Sequence, residues 1–144
     1  MILCCHIEGK IQLFNRDGSF DFEMNVGHTI GDIANMNENN IVALTSGSNN
    51  KISIVDVDQR KVIKTYKVDQ YNYGLAVRGN SPIYCAAGKV IRQLDLINES
   101  VTDLAKCKPS YFSYLTTFHD DLYYTNFNNH IVTCIDSQSI RYGI

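Results

Sequence analysis

The chain has 144 residues, of which 44% are hydrophobic and 19% are charged, and its formal net charge is −2. This composition is typical of one folded domain and excludes an intrinsically disordered chain. The slightly negative charge argues against a strongly basic nucleic-acid-binding domain and against polybasic membrane attachment. No apolar stretch is long enough to predict a membrane-spanning helix.

The N-terminal stretch MILCCHIEGKIQ has no basic residue ahead of its short apolar run, so it does not resemble a signal peptide. The chain has an odd number of cysteines and no CxxC pair. These features favour reduced thiols in the core of a cytoplasmic protein. The cysteines are Cys4, Cys5, Cys85, Cys107 and Cys134.

Strand-like runs follow one another along the whole chain, with turn signals such as RDGS, NENN and RGNSP between them. The first unit contains three runs and lacks an inner strand, and the last run of the fourth unit is truncated. The predicted strands cover 1–7, 10–16 and 19–26; 30–36, 41–46, 51–57 and 61–68; 73–78, 82–87, 89–97 and 100–106; 113–118, 121–126, 130–136 and 139–144.

Four related phrases recur in these units: IQLFN, ISIVD, IRQLD and VTCID. They end at Asn15, Asp56, Asp95 and Asp136, with spacings of 41, 39 and 41 residues. A period near 40 that contains only strands predicts propeller blades, and an Asp at the end of a strand starts a turn. We therefore predict an all-β partial β-propeller with about four four-stranded antiparallel blades, the first and last incomplete. The single segment divides at about 1–27, 28–69, 70–108 and 109–144.

Two stretches carry a family resemblance. YYTNFNNHIVTCIDSQS (123–139) and KISIVDVDQRKVIKTYKV (51–68) resemble the YVTN-type propeller repeat, and the blades are similar to the NHL-type propellers that close many tripartite-motif proteins. The resemblance implies a non-catalytic module that binds a protein or peptide, as the substrate-recognition part of a tripartite-motif ubiquitin ligase. The chain has no Trp-Asp signature and no Cys/His zinc framework, so ligase activity would need a RING region outside it.

A set of fewer than four complete blades would leave the outer faces of its first and last sheets uncovered. Three interpretations remain open: a fragment of a longer propeller, a closed ring formed head to tail with a second copy, and an open stack. Exposed flanks of this kind favour self-association through the open blade edges.

The sequence offers little catalytic chemistry. His119, Asp120 and Asp121 lie together, but they occupy a turn where the other units also have polar residues. The regular spacing of the strand-end Asp residues indicates turn formation, not a carboxylate ring. We predict no catalytic residue, no metal site and no cofactor. A gluconolactonase-like metal-dependent hydrolase is an alternative, although only Asp32 is acidic on the predicted inner strands.

One end of the predicted blades is rich in Tyr, Asn, Ser and Gly, whereas the other is heavily charged. Rigid aromatic and adaptable polar side chains on loops favour recognition. We expect Tyr71, Tyr111, Phe112 and Phe127 to form an exposed patch, with Tyr73 and Tyr114 as candidates for inward packing. The predicted partner-binding residues are Asn49, Asn50, Tyr71, Asn72, Tyr73, Tyr111, Phe112, Tyr114, Asn126, Phe127, Asn128 and Asn129.

Single-stranded RNA binding by the same loops is a second alternative, because aromatic rings stack on bases and lysines contact phosphates. The negative net charge and the acidic residues Glu8, Asp32 and Asp69 weigh against RNA. The candidate phosphate contacts are Lys51, Lys89, Lys106, Lys108 and His130.

Overall fold

The computed structural model describes residues 2–6, 8–36, 39–69, 71–136 and 140–143, and for 2–6 and 140–143 only the backbone. Fifteen strands and no helix lie in this part of the chain. The strands are β1 (Ile2–His6), β2 (Lys10–Phe14), β3 (Phe20–Asn25), β4 (Asp32–Asn35), β5 (Ile41–Thr45), β6 (Lys51–Asp56), β7 (Lys61–Lys67), β8 (Asn72–Arg78), β9 (Ser81–Ala86), β10 (Val90–Asp95), β11 (Ser100–Ala105), β12 (Leu115–Phe118), β13 (Asp121–Asn126), β14 (Ile131–Ile135) and β15 (Ile140–Gly143).

The strands form four antiparallel sheets, each made of strands that follow one another in the chain. The first sheet has three strands, and the other three sheets have four. The last outer strand, β15, has only four residues, whereas β7 has seven. Strand β8 contacts both β4 and β12, so the first strands of three successive sheets lie together. The predicted all-β partial β-propeller is confirmed, and we call the sheets the first to fourth blades.

Burial differs between the strands of one blade in the way that a stack of sheets requires. Four consecutive residues of β6 are buried, and five consecutive residues of β9 are buried. Such continuous runs occur where a sheet is covered on both faces. The outer strands β7 and β11 are mostly exposed. The middle strands of the second and third blades are therefore held between two neighbouring blades, whereas the outer strands are nearer to solvent.

Three apolar layers fill the junctions between blades. Each layer combines one face of a blade with the opposite face of the next, and burial of this area supplies the main driving force for folding. The following residues from the two facing blades represent each layer: Ile11 and Leu13 against Val42, Leu44 and Val55 in the first junction; Ala43, Ile52 and Ile54 against Tyr84 and Leu94 in the second; Ile83, Cys85 and Ile91 against Leu115, Leu122 and Tyr124 in the third.

The strand-end aspartates make the turns that their spacing predicts. Asp95 Oδ1 accepts hydrogen bonds from the backbone N–H groups of Ile97 at 2.8 Å and Asn98 at 3.0 Å. These bonds from Asn98 and Ile97 lower the pKa of the Asp95 carboxyl. Asp56 Oδ1 accepts a bond from the N–H of Gln59 at 2.8 Å. The turn after Asp136 runs into 137–139, which lie outside the described residues.

Of the three cysteines whose side chains are described, Cys85 is buried, and Cys107 and Cys134 are half-buried. Cys85, Cys107 and Cys134 are free, and burial raises the pKa of the Cys85 thiol. The side chains of Cys4 and Cys5 lie outside the described residues. In the described part of the chain, no helix is long and apolar enough to cross a membrane.

Candidate partner-binding face

Hydrogen bonds tie the loops at one end of the blades into a continuous rim. The N–H of Asn72 donates to the Gly47 carbonyl at 2.9 Å, and the Asn72 side-chain oxygen accepts from the N–H of Ser46 at 2.9 Å. Its amide nitrogen donates to the Asp69 carbonyl at 2.6 Å. Asn72 is fully buried. It therefore holds two loops together and does not belong to the exposed surface, although the sequence had grouped it with the surface residues.

The rim continues into the third and fourth blades. The N–H of Ala87 donates to the Tyr71 carbonyl at 3.2 Å, and the N–H of Gly88 donates to the Pro109 carbonyl at 2.8 Å. Ser110 Oγ accepts from the N–H of Phe127 at 3.0 Å. The loops around 71 and 110 are thus both bonded to the turn at 87–88, and the Ser110 hydroxyl joins the second of them to the loop around 127.

Five aromatic rings meet on this rim, and we call them the aromatic patch: Tyr71, Tyr73, Tyr111, Phe112 and Phe127. The centroids of Tyr71 and Tyr111 are 5.1 Å apart and those of Tyr73 and Phe112 are 5.3 Å apart. Phe112 and Phe127 lie 6.4 Å apart, edge to face. These separations are within the range for favourable aromatic pairs. The structure thus brings together residues from three loops that are far apart in the sequence.

The aromatic patch faces solvent. The exposed fractions are 39% for Tyr71, 53% for Tyr111, 59% for Phe112 and 63% for Phe127. Exposed apolar side chains are common singly, but a contiguous group marks an interaction surface more often than a solvated one. The expectation that these four residues form an exposed patch is confirmed.

Tyr71 is held in an uncommon backbone conformation, with φ of 59°. A bulky residue seldom adopts this left-handed region, and doing so costs on the order of 1 kcal/mol or more. The Asn72 N–H and the Tyr71 carbonyl both make hydrogen bonds to neighbouring loops. These bonds fix the backbone on the C-terminal side of Tyr71.

The aromatic patch surrounds a shallow depression of about 220 Å³. Its volume suits one or two side chains of a partner better than a whole small molecule. The lining residues are Tyr71, Tyr73, Ser110, Tyr111, Phe112, Phe127 and Asn128.

The two tyrosines considered for inward packing behave differently. Tyr73 is half-buried and contacts Phe112. Tyr114 is 61% exposed, so the inward-packing interpretation is wrong for this residue. Its ring lies with Thr116, Tyr123 and Val132 around a small depression on the outer flank of the fourth blade. The described part of the chain supplies no blade to cover this flank.

The remaining predicted residues are spread along the rim. Asn49 is exposed and its amide donates to Thr29 Oγ1 at 2.9 Å, and the Asn50 carbonyl accepts from the N–H of Val68. Asn128 and Asn129 are exposed beside the aromatic patch. Asn126 is half-buried, and its side-chain oxygen has no hydrogen-bond partner among the described residues.

An ion-pair cluster adjoins the aromatic patch and was not anticipated from the sequence. Asp69 Oδ2 lies 2.5 Å from Arg92 Nη1, Asp69 Oδ1 lies 3.2 Å from Lys89 Nζ, and the Tyr84 hydroxyl donates to Asp69 at 2.9 Å. Burial raises the pKa of Asp69, but the hydrogen bonds from Tyr84, Arg92 and Lys89 outweigh it and leave that pKa lowered. The spacing of these residues, up to 23 positions apart, carries no local signal.

The inner strands line a channel-like depression of about 390 Å³ that contains Asp32. The Asp32 carboxylate accepts from the N–H groups of Ile33 at 2.8 Å and Leu75 at 3.0 Å, and burial raises its pKa. Its oxygens thus link the second blade to the third. The described residues contain no group of three His, Cys, Asp or Glu side chains placed to hold a metal ion.

Solved structures with the same fold are propeller proteins. Virginiamycin B lyase from Staphylococcus aureus, in a catalytically inactive form with quinupristin, is 15% identical with a TM-score of 0.71, covering 93% of this chain and 48% of its own. Hydrazine synthase of Kuenenia stuttgartiensis is 14% identical with a TM-score of 0.73, and the match covers 94% of this chain and 43% of the hydrazine synthase chain. A streptogramin B lyase is 16% identical with a TM-score of 0.70, and the match covers 94% of this chain and 47% of the lyase chain.

Because the identity is so low, these structures show only the fold class of this chain, which is a β-propeller. The chain spans about half the length of the solved propellers that it matches. No protein-family model and no curated protein matches the sequence.

Proposed function

We propose that this chain is a non-catalytic module that binds a protein or peptide through the aromatic patch. The observation that carries the proposal is the group of four rings, 39–63% exposed, on loops that are fixed by backbone hydrogen bonds. The patch includes Tyr71, Tyr111 and Phe127 from three separate loops.

The physical basis is the apolar area that a partner would remove from water. Burying a large apolar side chain contributes about 1.5–3 kcal/mol, and binding energy concentrates in a few aromatic residues. Because the loops are already ordered, little conformational entropy is lost when a partner binds. A few rings of this kind suffice for a specific, moderate affinity.

A non-enzymatic role is favoured by the state of the channel. Both oxygens of Asp32 already accept backbone hydrogen bonds, so this carboxylate is committed to joining two blades. On the sequence resemblance alone, we extend the proposal to a YVTN/NHL-type propeller that acts as the substrate-recognition part of a tripartite-motif ubiquitin ligase in the cytoplasm.

A random peptide library displayed on phage tests the proposed function. We expect the wild-type protein to enrich peptides that no longer bind after Tyr71→Ala, Tyr111→Ala and Phe127→Ala are combined. The matched control replaces Phe20 and Ile97, which are 56% and 91% exposed at other places on the surface. The melting temperatures of both variants should stay close to wild type, because no buried contact is removed.

Two results would contradict the proposal. Enriched peptides that bind the triple variant as well as the wild type would place the binding surface elsewhere. A library that yields no enriched peptide, from protein shown to be folded, would remove peptide binding itself.

A further inference from the structure

A group of lysines borders the aromatic patch. The Gly88 N–H donates a hydrogen bond to the Pro109 carbonyl at 2.8 Å. Lys89 directly follows Gly88, and Lys108 directly precedes Pro109. Lys106 lies two residues earlier in the same loop. Lys106 and Lys108 are exposed, and neither has an ionic partner in the described part of the chain.

The same surface carries an excess of positive charge although the whole chain is slightly negative. Arg92 pairs with Asp69 and, at 2.8 Å through Nε, with Asp103. The carboxylates of Asp69 and Asp103 therefore balance Lys89 and Arg92, and Lys106 and Lys108 lie in the loop whose Pro109 carbonyl is bonded to the Gly88 N–H. The surplus lies on the two lysines that have no partner.

Backbone contacts make the lysines and the aromatic patch one surface. Ala87 donates to the Tyr71 carbonyl, which places Tyr71 beside the turn that carries Lys89. Tyr111 follows Lys108 by three residues in the loop that also supplies Ser110 to the depression. The backbone of Lys108 thus adjoins the loop that lines the apolar depression, and Lys106 lies two residues earlier.

We propose that the partner is an acidic peptide segment. One of its apolar side chains occupies the depression between Tyr71, Tyr111 and Phe112, and its carboxylates contact Lys106 and Lys108. This inference rests on the proposed function of the aromatic patch. Charge-assisted hydrogen bonds at the border select the partner, and the rings supply the contact area.

The geometry of the rings favours a peptide over single-stranded RNA. Tyr71 meets Tyr111 at an interplanar angle of 76°, and Phe112 meets Phe127 at 79°. Edge-to-face rings cover part of one another's faces and enclose a depression, whereas a base stacks on an open ring face. Two unpaired lysines also match a pair of carboxylates better than the run of phosphates that a bound strand presents.

Fluorescence polarisation with labelled synthetic ligands tests the inference. The probes share a central Phe-Pro pair and differ only in flanks of Glu, Lys or Ser, and a uridine oligonucleotide is the fourth probe. We expect the Glu-flanked peptide to bind tightest, and to weaken about three- to ten-fold when salt rises from about 50 to about 300 mM.

Charge reversal provides the sharper arm of the experiment. Lys106→Glu with Lys108→Glu should weaken the Glu-flanked peptide about ten-fold or more and strengthen the Lys-flanked peptide. The control pair, Arg16→Glu with Lys61→Glu, makes the same change in net charge at exposed positions of the opposite end of the blades. It should leave both peptides nearly unaffected.

The outcomes separate this inference from the proposed function. Tighter binding of the Lys-flanked or Ser-flanked peptide, or an equal effect of the two charge-reversal pairs, would overturn the acidic partner and leave peptide binding intact. Failure of all three designed peptides while library peptides still bind would do the same. Tighter binding of the uridine oligonucleotide, lost in the aromatic triple variant, would overturn both.

Discussion

The same repeat positions have opposite surroundings in the third and fourth blades. Ile83 and Ile91 lie on the face of the third blade that packs against the fourth, and both are fully buried. The equivalent residues, 40 and 41 positions later, are Tyr123 and Val132. They line the outer flank of the fourth blade, where Val132 is 42% exposed. The repeat thus prepares a packing face in each blade, and only a neighbouring blade makes it a core.

The two outer flanks also differ from each other. On the first blade, Lys10 pairs with Glu23 at 2.9 Å and Gln12 donates to the same carboxylate. On the fourth blade the flank carries one described carboxylate, Asp121, opposite Phe118, and Tyr114 and Phe118 are more than half exposed. The first flank is therefore suited to water, whereas the fourth resembles a junction that lacks its second half.

The largest expected effect comes from truncating the same repeat position in the third blade, where it is buried, and in the fourth blade, where it is exposed. Ile91→Ala should lower the free energy of unfolding by about 2–5 kcal/mol, because the junction cannot fully collapse around the lost methyl groups. Val132→Ala should cost less than about 1 kcal/mol, because the Val side chain is partly hydrated already. Urea unfolding of the two variants measures the difference. Equal losses would mean that the flank is as well packed as the junction.

The second largest effect on stability should come from polar groups at a junction between blades. Asp69→Ala leaves the buried Tyr84 hydroxyl without its acceptor and Arg92 with Asp103 alone, so we expect a loss of about 2–4 kcal/mol. Ser110 is the equivalent loop residue of the next junction, and Ser110→Ala removes two neutral hydrogen bonds, one from the Phe127 N–H and one with the Ser113 hydroxyl, together worth about 1–2 kcal/mol. Urea unfolding at neutral pH compares them, and a larger loss for Ser110→Ala would contradict the expected order.

The lowered pKa of Asp69 also gives this junction a pH dependence. Because the folded-state pKa lies below the unfolded value of about 3.9, the carboxylate stabilises the fold fully above that value. This contribution is lost as pH falls through the folded-state pKa. Asp69→Asn should therefore show a smaller loss of stability than wild type between about pH 5 and the acid limit of folding. Parallel acid curves for the two proteins would show that Asp69 does not contribute.

A smaller effect concerns association through the fourth flank. We propose that the fourth flank mediates weak self-association, since like faces bury the apolar area of Tyr114, Phe118 and Val132. Phe118→Lys with Val132→Lys should weaken association about ten-fold or more, because each lysine would have to be desolvated. Phe20→Lys on the first blade is the control. Sedimentation velocity over a range of concentrations makes the measurement, and a wild-type protein that is monomeric throughout contradicts the proposal.

The smallest expected effect lies at the strand ends, away from any junction. Asp95 accepts two backbone hydrogen bonds in its turn and Asp56 accepts one. Asp95→Ala should lower the melting temperature by about 1–2 °C, and Asp56→Ala by less. Thermal unfolding followed by circular dichroism provides the test. A fall as large as that of Ile91→Ala would mean that the turn, and not the junction, limits stability.

The sequence by itself determined the local structure. Alternating and β-branched residues separated by turn signals define the strands, and the period near 40 assigns them to blades, because both depend on near neighbours or on regular spacing. The strand-end aspartates were predictable for the same reason: their bonds reach only two or three residues along the chain. The exposure of Tyr71, Tyr111, Phe112 and Phe127 followed from their place in loops.

Only the tertiary structure decided the rest. Asn72 looked like its exposed neighbours but is buried, because its side chain reaches a loop 26 residues earlier. Tyr73 and Tyr114 both lie near the start of an inner strand, yet one contacts Phe112 and the other lies on an uncovered flank. The Asp69 cluster joins residues from one loop and two later strands. Burial and charge pairing of this kind depend on which segments lie side by side, and that is set by the packing of blades.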